Sequence, residues 1–172
     1  MRESVKLTVL AWAWVAVPAL AYALGLRVNI SCSLPMGLYA VTHDPRCALI
    51  EFCPEGVYAE ESKLRGYRSP GSCPDGAAPL IKPIAARTGD LVEVCARGLT
   101  VNGKLLPNSA PLLSDRKGRR LTPWRSGRYR VSPAEVWVVS TYSYGSYDSR
   151  YFGPIRIASI RDRLRPLCTL HP

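Results

Sequence analysis

Ser31-Cys32-Ser33-Leu34-Pro35-Met36-Gly37-Leu38-Tyr39 begins a few residues beyond an uncharged N-terminal run and opens the first polar part of the chain. A serine ahead of a Pro/Gly turn is ordinarily a turn residue, because its hydroxyl bonds to the local backbone. Two later stretches give Ser33 a chemical reading. Pro79-Leu80-Ile81-Lys82-Pro83-Ile84-Ala85-Ala86-Arg87-Thr88-Gly89-Asp90 sets a single lysine in an apolar run closed by a Gly-Asp turn. Gly145-Ser146-Tyr147-Asp148-Ser149-Arg150-Tyr151-Phe152-Gly153-Pro154 is a polar and aromatic cluster between two strand-like segments. A serine hydroxyl is a weak nucleophile until a base takes its proton. His43 is isolated and His171 lies at the C-terminal end, so Lys82 is the remaining base. Its amine must be neutral to act, whereas a free lysine ionises near pH ~10.4. Burial lowers that value by up to about 3–5 units, and Leu80, Ile81, Ile84 and Ala85 supply apolar surroundings.

In this order the three stretches resemble the type I signal peptidase clan, and within it the TraF-type conjugative-transfer peptidases. The resemblance is carried by Asn29 and Ser31 leading into Ser33-Leu34-Pro35-Met36-Gly37-Leu38-Tyr39. Proline stands two residues after the serine, where general signal peptidases usually have Ser-Met-x-Pro. The Ser146-Tyr147-Asp148-Ser149-Arg150-Tyr151-Phe152-Gly153 run fits both branches, and the similarity covers nearly the whole chain. It implies a mainly β, signal-peptidase-like β-sheet or barrel domain with one N-terminal transmembrane helix. It also implies a serine endopeptidase with a catalytic Ser33-Lys82 dyad and no cofactor.

The same resemblance assigns supporting roles. Ser31 matches the hydroxyl that assists the oxyanion hole, and Ser146 matches the serine that orients the lysine. Asp148 matches the family aspartate and is expected to pair with Arg150 as structural support, because a carboxylate touching Lys82 would raise the lysine pKa. The implied partner is a conjugative pilin precursor, matured by cleavage and, in the sharper form, cyclised by acyl transfer to its own N-terminus. Other conjugation or type IV secretion components are implied as well. Two alternatives stay open: a general type I signal peptidase removing leader peptides, and a non-catalytic anchored scaffold. Pro83 stands where the family commonly has a basic residue. Proline removes a backbone donor, so the strand is expected to be unpaired or bulged there.

Leu7 to Leu26 contains no charged residue. At about 1.5 Å per residue such a run reaches roughly 30 Å, the thickness of a bilayer's hydrocarbon core. The reading is a cytoplasmic N-terminus over residues 1–6, a transmembrane anchor over 7–26 and a periplasmic serine peptidase domain over 27–172, in a bacterial inner membrane. Arg2 and Lys6 before the run and Arg27 after it favour that orientation. The competing reading is a leader cleaved at Ala19-Leu20-Ala21 or Ala21-Tyr22-Ala23, both of which fit small-x-small sites.

An exported domain meets oxidising surroundings. Of the six cysteines, Cys53 and Cys73 are each followed by proline and bracket a polar segment, and they are expected to pair. Nothing in the sequence pairs Cys32, Cys47, Cys95 or Cys168. No Cys/His spacing suits a metal. The net charge of +10 is concentrated at Arg116–Arg120 and Arg156–Arg165. With no aromatic stacking platform and no DNA-binding motif, nucleic acid is not expected; a solvated face, or attraction to anionic inner-membrane lipids, fits better.

Beyond Ser33 the pattern is β. Strands are expected at Leu38–Val41, Ala48–Phe52, Pro79–Ala86, Leu91–Cys95 and Leu99–Val101, with a hairpin about Asn102-Gly103, whose residues accept positive φ. Tyr129–Val131 and Glu135–Ser140 flank a Ser-Pro turn. Pro54–Ala78 reads as an irregular excursion with a helical turn or two at Glu60–Arg65. Pro154–Leu167 alternates Ile155, Ile157 and Ile160 with basic residues and reads as a half-exposed edge strand.

Overall fold

A computed structural model describes residues 16–170. Residues 16–23 are helical (α1). Eleven strands follow: β1 Leu26–Asn29, β2 Met36–Thr42, β3 Leu49–Phe52, β4 Leu80–Ala86, β5 Leu91–Cys95, β6 Gly98–Val101, β7 Lys104–Leu105, β8 Gly127–Arg130, β9 Glu135–Val138, β10 Ile155–Arg156 and β11 Ile160–Leu170. Helix α2 spans Gly56–Leu64 and α3 spans Ser149–Phe152. The first nine residues of the expected anchor lie outside the described residues, and its last, Leu26, opens β1 instead. Among the described residues no helix is long and apolar enough to cross a membrane.

All pairings are antiparallel. One sheet runs β1-β2-β11-β3-β4-β9-β10 and the other β7-β6-β5-β8. Two apolar cores result, and β4 and β9 feed both. Ile84, Val136 and Val138 join Ile50, Phe52, Tyr151 and Phe152, whereas Ala86, Trp137 and Val139 join Val92, Val94 and Leu99. Side chains alternate across a strand, so Ile84 and Ala86 should share a face. The register shift between them turns Ala86 to the other core, as an extra residue in one strand does. A strand covered on both faces needs no polar alternation, and Val136, Trp137 and Val138 are all buried.

Two expectations are corrected. The C-terminal strand β11 is not at an edge: it lies between β2 and β3. Alternation reports that one face of a sheet is wet, not where the strand sits in the order. Pro166 is tolerated there because the β2 register shifts between Pro166 and Cys168. Strands β8 and β9 flank the Ser-Pro turn as expected, and beyond it β8 pairs with β5 and β9 with β4. The second correction is that the segment after Cys53 is ordered around a buried cation rather than irregular. Arg68 donates to Ser62 Oγ at 2.8 Å and to the Ala59 carbonyl at 2.7 Å, both on α2, and pairs with Asp75. The Cys53–Cys73 disulfide closes this segment, with Cα atoms 5.7 Å apart.

Pro83 is accommodated without unpairing from β3. The Ile84 N–H bonds to the Ala48 carbonyl, so Pro83, opposite Leu49, falls at an alternate position where β3 asks for no donor. Its carbonyl accepts from the Val139 N–H at 3.1 Å. The bulge falls two residues later, on the β9 side. Gly37 is required for a different reason: at φ +150° its absent Cβ would strike the Cys168 carbonyl and lie 2.7 Å from Thr169 Cα, so only glycine lets β11 close on β2.

Candidate active site

The predicted nucleophile sits in the tight connection between β1 and β2, and Asn29 builds that connection. The Asn29 side chain is buried at the end of β1. Its Nδ2 donates to the carbonyls of Ser31, Leu34 and Pro35 at 3.2, 3.2 and 3.1 Å. Its Oδ1 accepts from the Ser31 N–H at 3.1 Å and from the Ser31 hydroxyl at 2.7 Å. Leu34 is buried beneath the turn, and the Tyr39 hydroxyl donates to the Pro35 carbonyl at 2.7 Å. Ser33 is thereby held half-buried, its Oγ 3.0 Å from Ser31 Oγ.

Lys82 lies on β4, in register with Ile50 of β3, and is 4% exposed. Its Nζ donates to Ser146 Oγ at 3.0 Å. Loss of hydration on burial is the leading influence on its pKa. The Asp148 carboxylate opposes it and the Arg150 guanidinium reinforces it, leaving the amine at about 8. Among the described residues an ammonium in that position has one hydroxyl partner and no carboxylate in contact, which is why the neutral form gains ground.

Ser33 and Lys82 converge on the end of β9. The Val139 N–H bonds to the carbonyl of Pro83, next to Lys82, and the following residue, Ser140, donates its hydroxyl to the carbonyl of Ser33. The two side chains do not bond to each other: Ser33 Oγ engages Ser31, and Lys82 Nζ engages Ser146.

Behind this arrangement lies the third stretch. Asp148 caps α3 and accepts from Arg150 Nε at 2.8 Å, Arg150 Nη2 at 3.0 Å and the Ser140 N–H at 3.0 Å. Arg150 also donates to the carbonyls of Asn108, Tyr144 and Ser140 at 2.8, 2.7 and 3.0 Å. Both side chains are fully buried. The carboxylate is thus occupied by donors other than Lys82, and its charge is balanced by the guanidinium beside it. Next to Ser146, the Tyr147 hydroxyl donates to Glu61 of α2 at 2.6 Å, and burial pushes its pKa far up.

Ser31, Ser33, Lys82, Ser146, Asp148 and Arg150, far apart in sequence, thus fall into one connected region. Sequence reasoning did not assign roles to Asn29 or Ser140. Asn29 carried a signal, since an Asn two residues ahead of a Ser has the spacing at which its side chain caps the backbone two residues on. Ser140 carried none, because its partner is 107 residues away.

Comparison with known proteins shows the family. The family model described as "Signal peptidase, peptidase S26" matches residues 1–167, and the chain belongs to that peptidase family. Within it, the chain is similar to the plasmid transfer protein TraF of Escherichia coli, 41% identical over 152 residues, covering 86% of this chain and 85% of that one. It is similar also to the conjugal transfer protein TraF of Agrobacterium tumefaciens, 36% identical over 181 residues and the full length of both chains. TraF of Agrobacterium fabrum is 37% identical over 153 residues, covering 86% and 85%.

Proposed function

We propose that this protein is a serine endopeptidase of conjugative transfer, working with a Ser33-Lys82 dyad, anchored by its N-terminal segment in the inner membrane with the catalytic domain in the periplasm. The observation that carries the reading is the buried Lys82 amine, held by Ser146 and brought to about 8, at the same end of β9 as Ser33. At neutral pH and above, a useful fraction of such an amine is free to accept a proton.

Ser33 Oγ attacks the scissile carbonyl as its proton passes to Lys82 Nζ. The resulting oxyanion is met by the Ser33 N–H and by the Ser31 hydroxyl turned toward it, donors aimed at charge that develops only in the transition state. Lys82 then returns the proton to the leaving amine, leaving Ser33 acylated. Ser146 keeps the amine aligned, while Asp148 and Arg150 hold Ser140 and the 140–146 segment in place. The names of the relatives favour a substrate within the conjugation apparatus, and the reading adopted is a pilin precursor. An acyl-enzyme is consumed either by water or by the pilin's own N-terminal amine, the latter giving a cyclic product.

Incubating the pilin precursor with the full chain and with Ser33→Ala and Lys82→Ala, followed by mass spectrometry, tests this. A product one water lighter than the linear processed peptide supports cyclisation, and a linear product supports hydrolysis. Processing that survives Ser33→Ala overturns the dyad. Equal processing of unrelated preproteins favours a general signal peptidase.

A further inference from the structure

We infer that Asn29 is a positioning residue for acyl transfer: by taking the Ser31 hydroxyl hydrogen it makes Ser33 the donor in the Ser31–Ser33 pair of the resting enzyme, and it releases that hydrogen only when an oxyanion forms. This rests on the reading of Ser33 as nucleophile.

The orientation of the Asn29 amide follows from its surroundings. One end faces three carbonyl oxygens, of Ser31, Leu34 and Pro35. Carbonyls only accept, so that end is the NH2 group. The other end is therefore Oδ1, and it faces the Ser31 N–H and hydroxyl. The Ser31 hydroxyl has one hydrogen, and at 2.7 Å from Oδ1 it is given to Asn29. The 3.0 Å contact between the two serine oxygens must then use the hydrogen of Ser33.

Two consequences follow for the reaction. At rest the Ser33 proton points to Ser31, not to Lys82, and Lys82 is turned to Ser146. An arriving carbonyl that begins to gain charge competes with Asn29 Oδ1 for the Ser31 hydrogen. When that hydrogen swings to the oxyanion, the Ser33 proton transfers to Lys82. Throughout, Asn29 keeps the Ser31 N–H and the three carbonyls, so the turn does not reorganise. Reorganisation is thus confined to the rotation of one hydroxyl on a fixed turn, which keeps its cost to catalysis small. Asn29 touches neither substrate nor reacting atoms; it acts through Ser31.

The test measures kcat and KM on the pilin precursor for Asn29→Ala, Asn29→Asp, Ser31→Ala and Asn29→Ala/Ser31→Ala, with Ser33→Ala in parallel. Asn29→Ala is expected to lower kcat by about a hundredfold, as loss of an oxyanion donor does. KM should stay within about twofold, and the midpoint of the pH profile set by Lys82 should not move. Asn29→Asp keeps an acceptor facing Ser31 but sets its second carboxylate oxygen against three carbonyls that only accept, so it is expected to be no faster than Asn29→Ala and to melt at a lower temperature. The double variant should be no slower than the slower single one. Wild-type kcat in Asn29→Ala, or multiplying effects in the double variant, would each overturn the inference. Ser31→Ala changes an exposed side chain and can overturn the inference even if both Asn29 variants melt below the assay temperature. A hundredfold loss in Ser31→Ala that adding Asn29→Ala does not deepen supports the inference, and wild-type kcat in Ser31→Ala overturns it. If Ser33→Ala keeps full turnover, the peptidase reading itself has failed; if Ser33→Ala is inactive while Asn29→Ala and Ser31→Ala turn over normally, only this inference has.

Discussion

Asp148 and Arg150 form an ion pair from which solvent is wholly excluded, Nε to Oδ1 at 2.8 Å and Nη2 to Oδ2 at 3.0 Å. The pair is local in sequence and global in effect, because Ser140, Ser143 and Tyr144 hang from it through backbone bonds. Ser140 in turn holds the Ser33 carbonyl. A buried pair is weak grounds for net stability, but removing one partner strands the other charge.

Asp148→Ala is therefore expected to destabilise the fold by about 3–5 kcal/mol, the range for an orphaned buried charge. Urea unfolding checks this. A loss under about 1 kcal/mol would mean that Arg150 finds other compensation and that the pair does not organise the site.

The state of Lys82 sets a pH dependence whose sign can be worked out. Its folded value, about 8, lies below the ordinary lysine value, so the unfolded chain binds the extra proton between the two. Stability contributed by this residue accordingly rises with pH from about 8 to about 10.4 and is lowest below that window. Lys82→Met should remove a cost of roughly 3 kcal/mol near and below neutrality and flatten stability across the window, as read from denaturation midpoints at several pH values. Activity of the parent enzyme should rise as pH passes through about 8, when the amine becomes free to accept the serine proton. Asp148 raises the lysine value, so where Asp148→Asn folds, its profile should shift toward lower pH. An acid-side limb that stays in place in that variant would contradict the assignment.

Joining residues 20 apart, the Cys53–Cys73 bridge closes the segment that carries α2. Replacing both cysteines by serine should cost about 3 kcal/mol through the unfolded chain's regained freedom, seen as a lowered thermal midpoint. The same loss should follow treatment of the parent protein with reductant. The effect should reach the site, because Glu61 of this segment accepts from Tyr147, the neighbour of Ser146. A reduced protein with an unchanged midpoint would show that the packing around Arg68 alone holds the segment.

Much of this molecule is written locally. Asn102 and Gly103 take φ values of 49° and 81°, as an Asn-Gly hairpin turn demands, and β5 runs from Leu91 to Cys95 as its alternation predicted. Serine, lysine and the Asp-Arg run were recognisable because their residue types and order are one-dimensional facts, and proline next to each of Cys53 and Cys73 marked the ends of one excursion. Such signals arise from side chains acting on backbone within a few positions.

Only the tertiary structure decided what those pieces meet. It inserted β11 between β2 and β3, sent β8 and β9 to different sheets, and wound α2 around Arg68. It also buried Lys82 beside Ser146, 64 residues away, and drew the Ser33 carbonyl to Ser140 across 107. Strand order and the loss of water around an amine depend on contacts between remote segments, and those contacts leave no periodic trace in the chain.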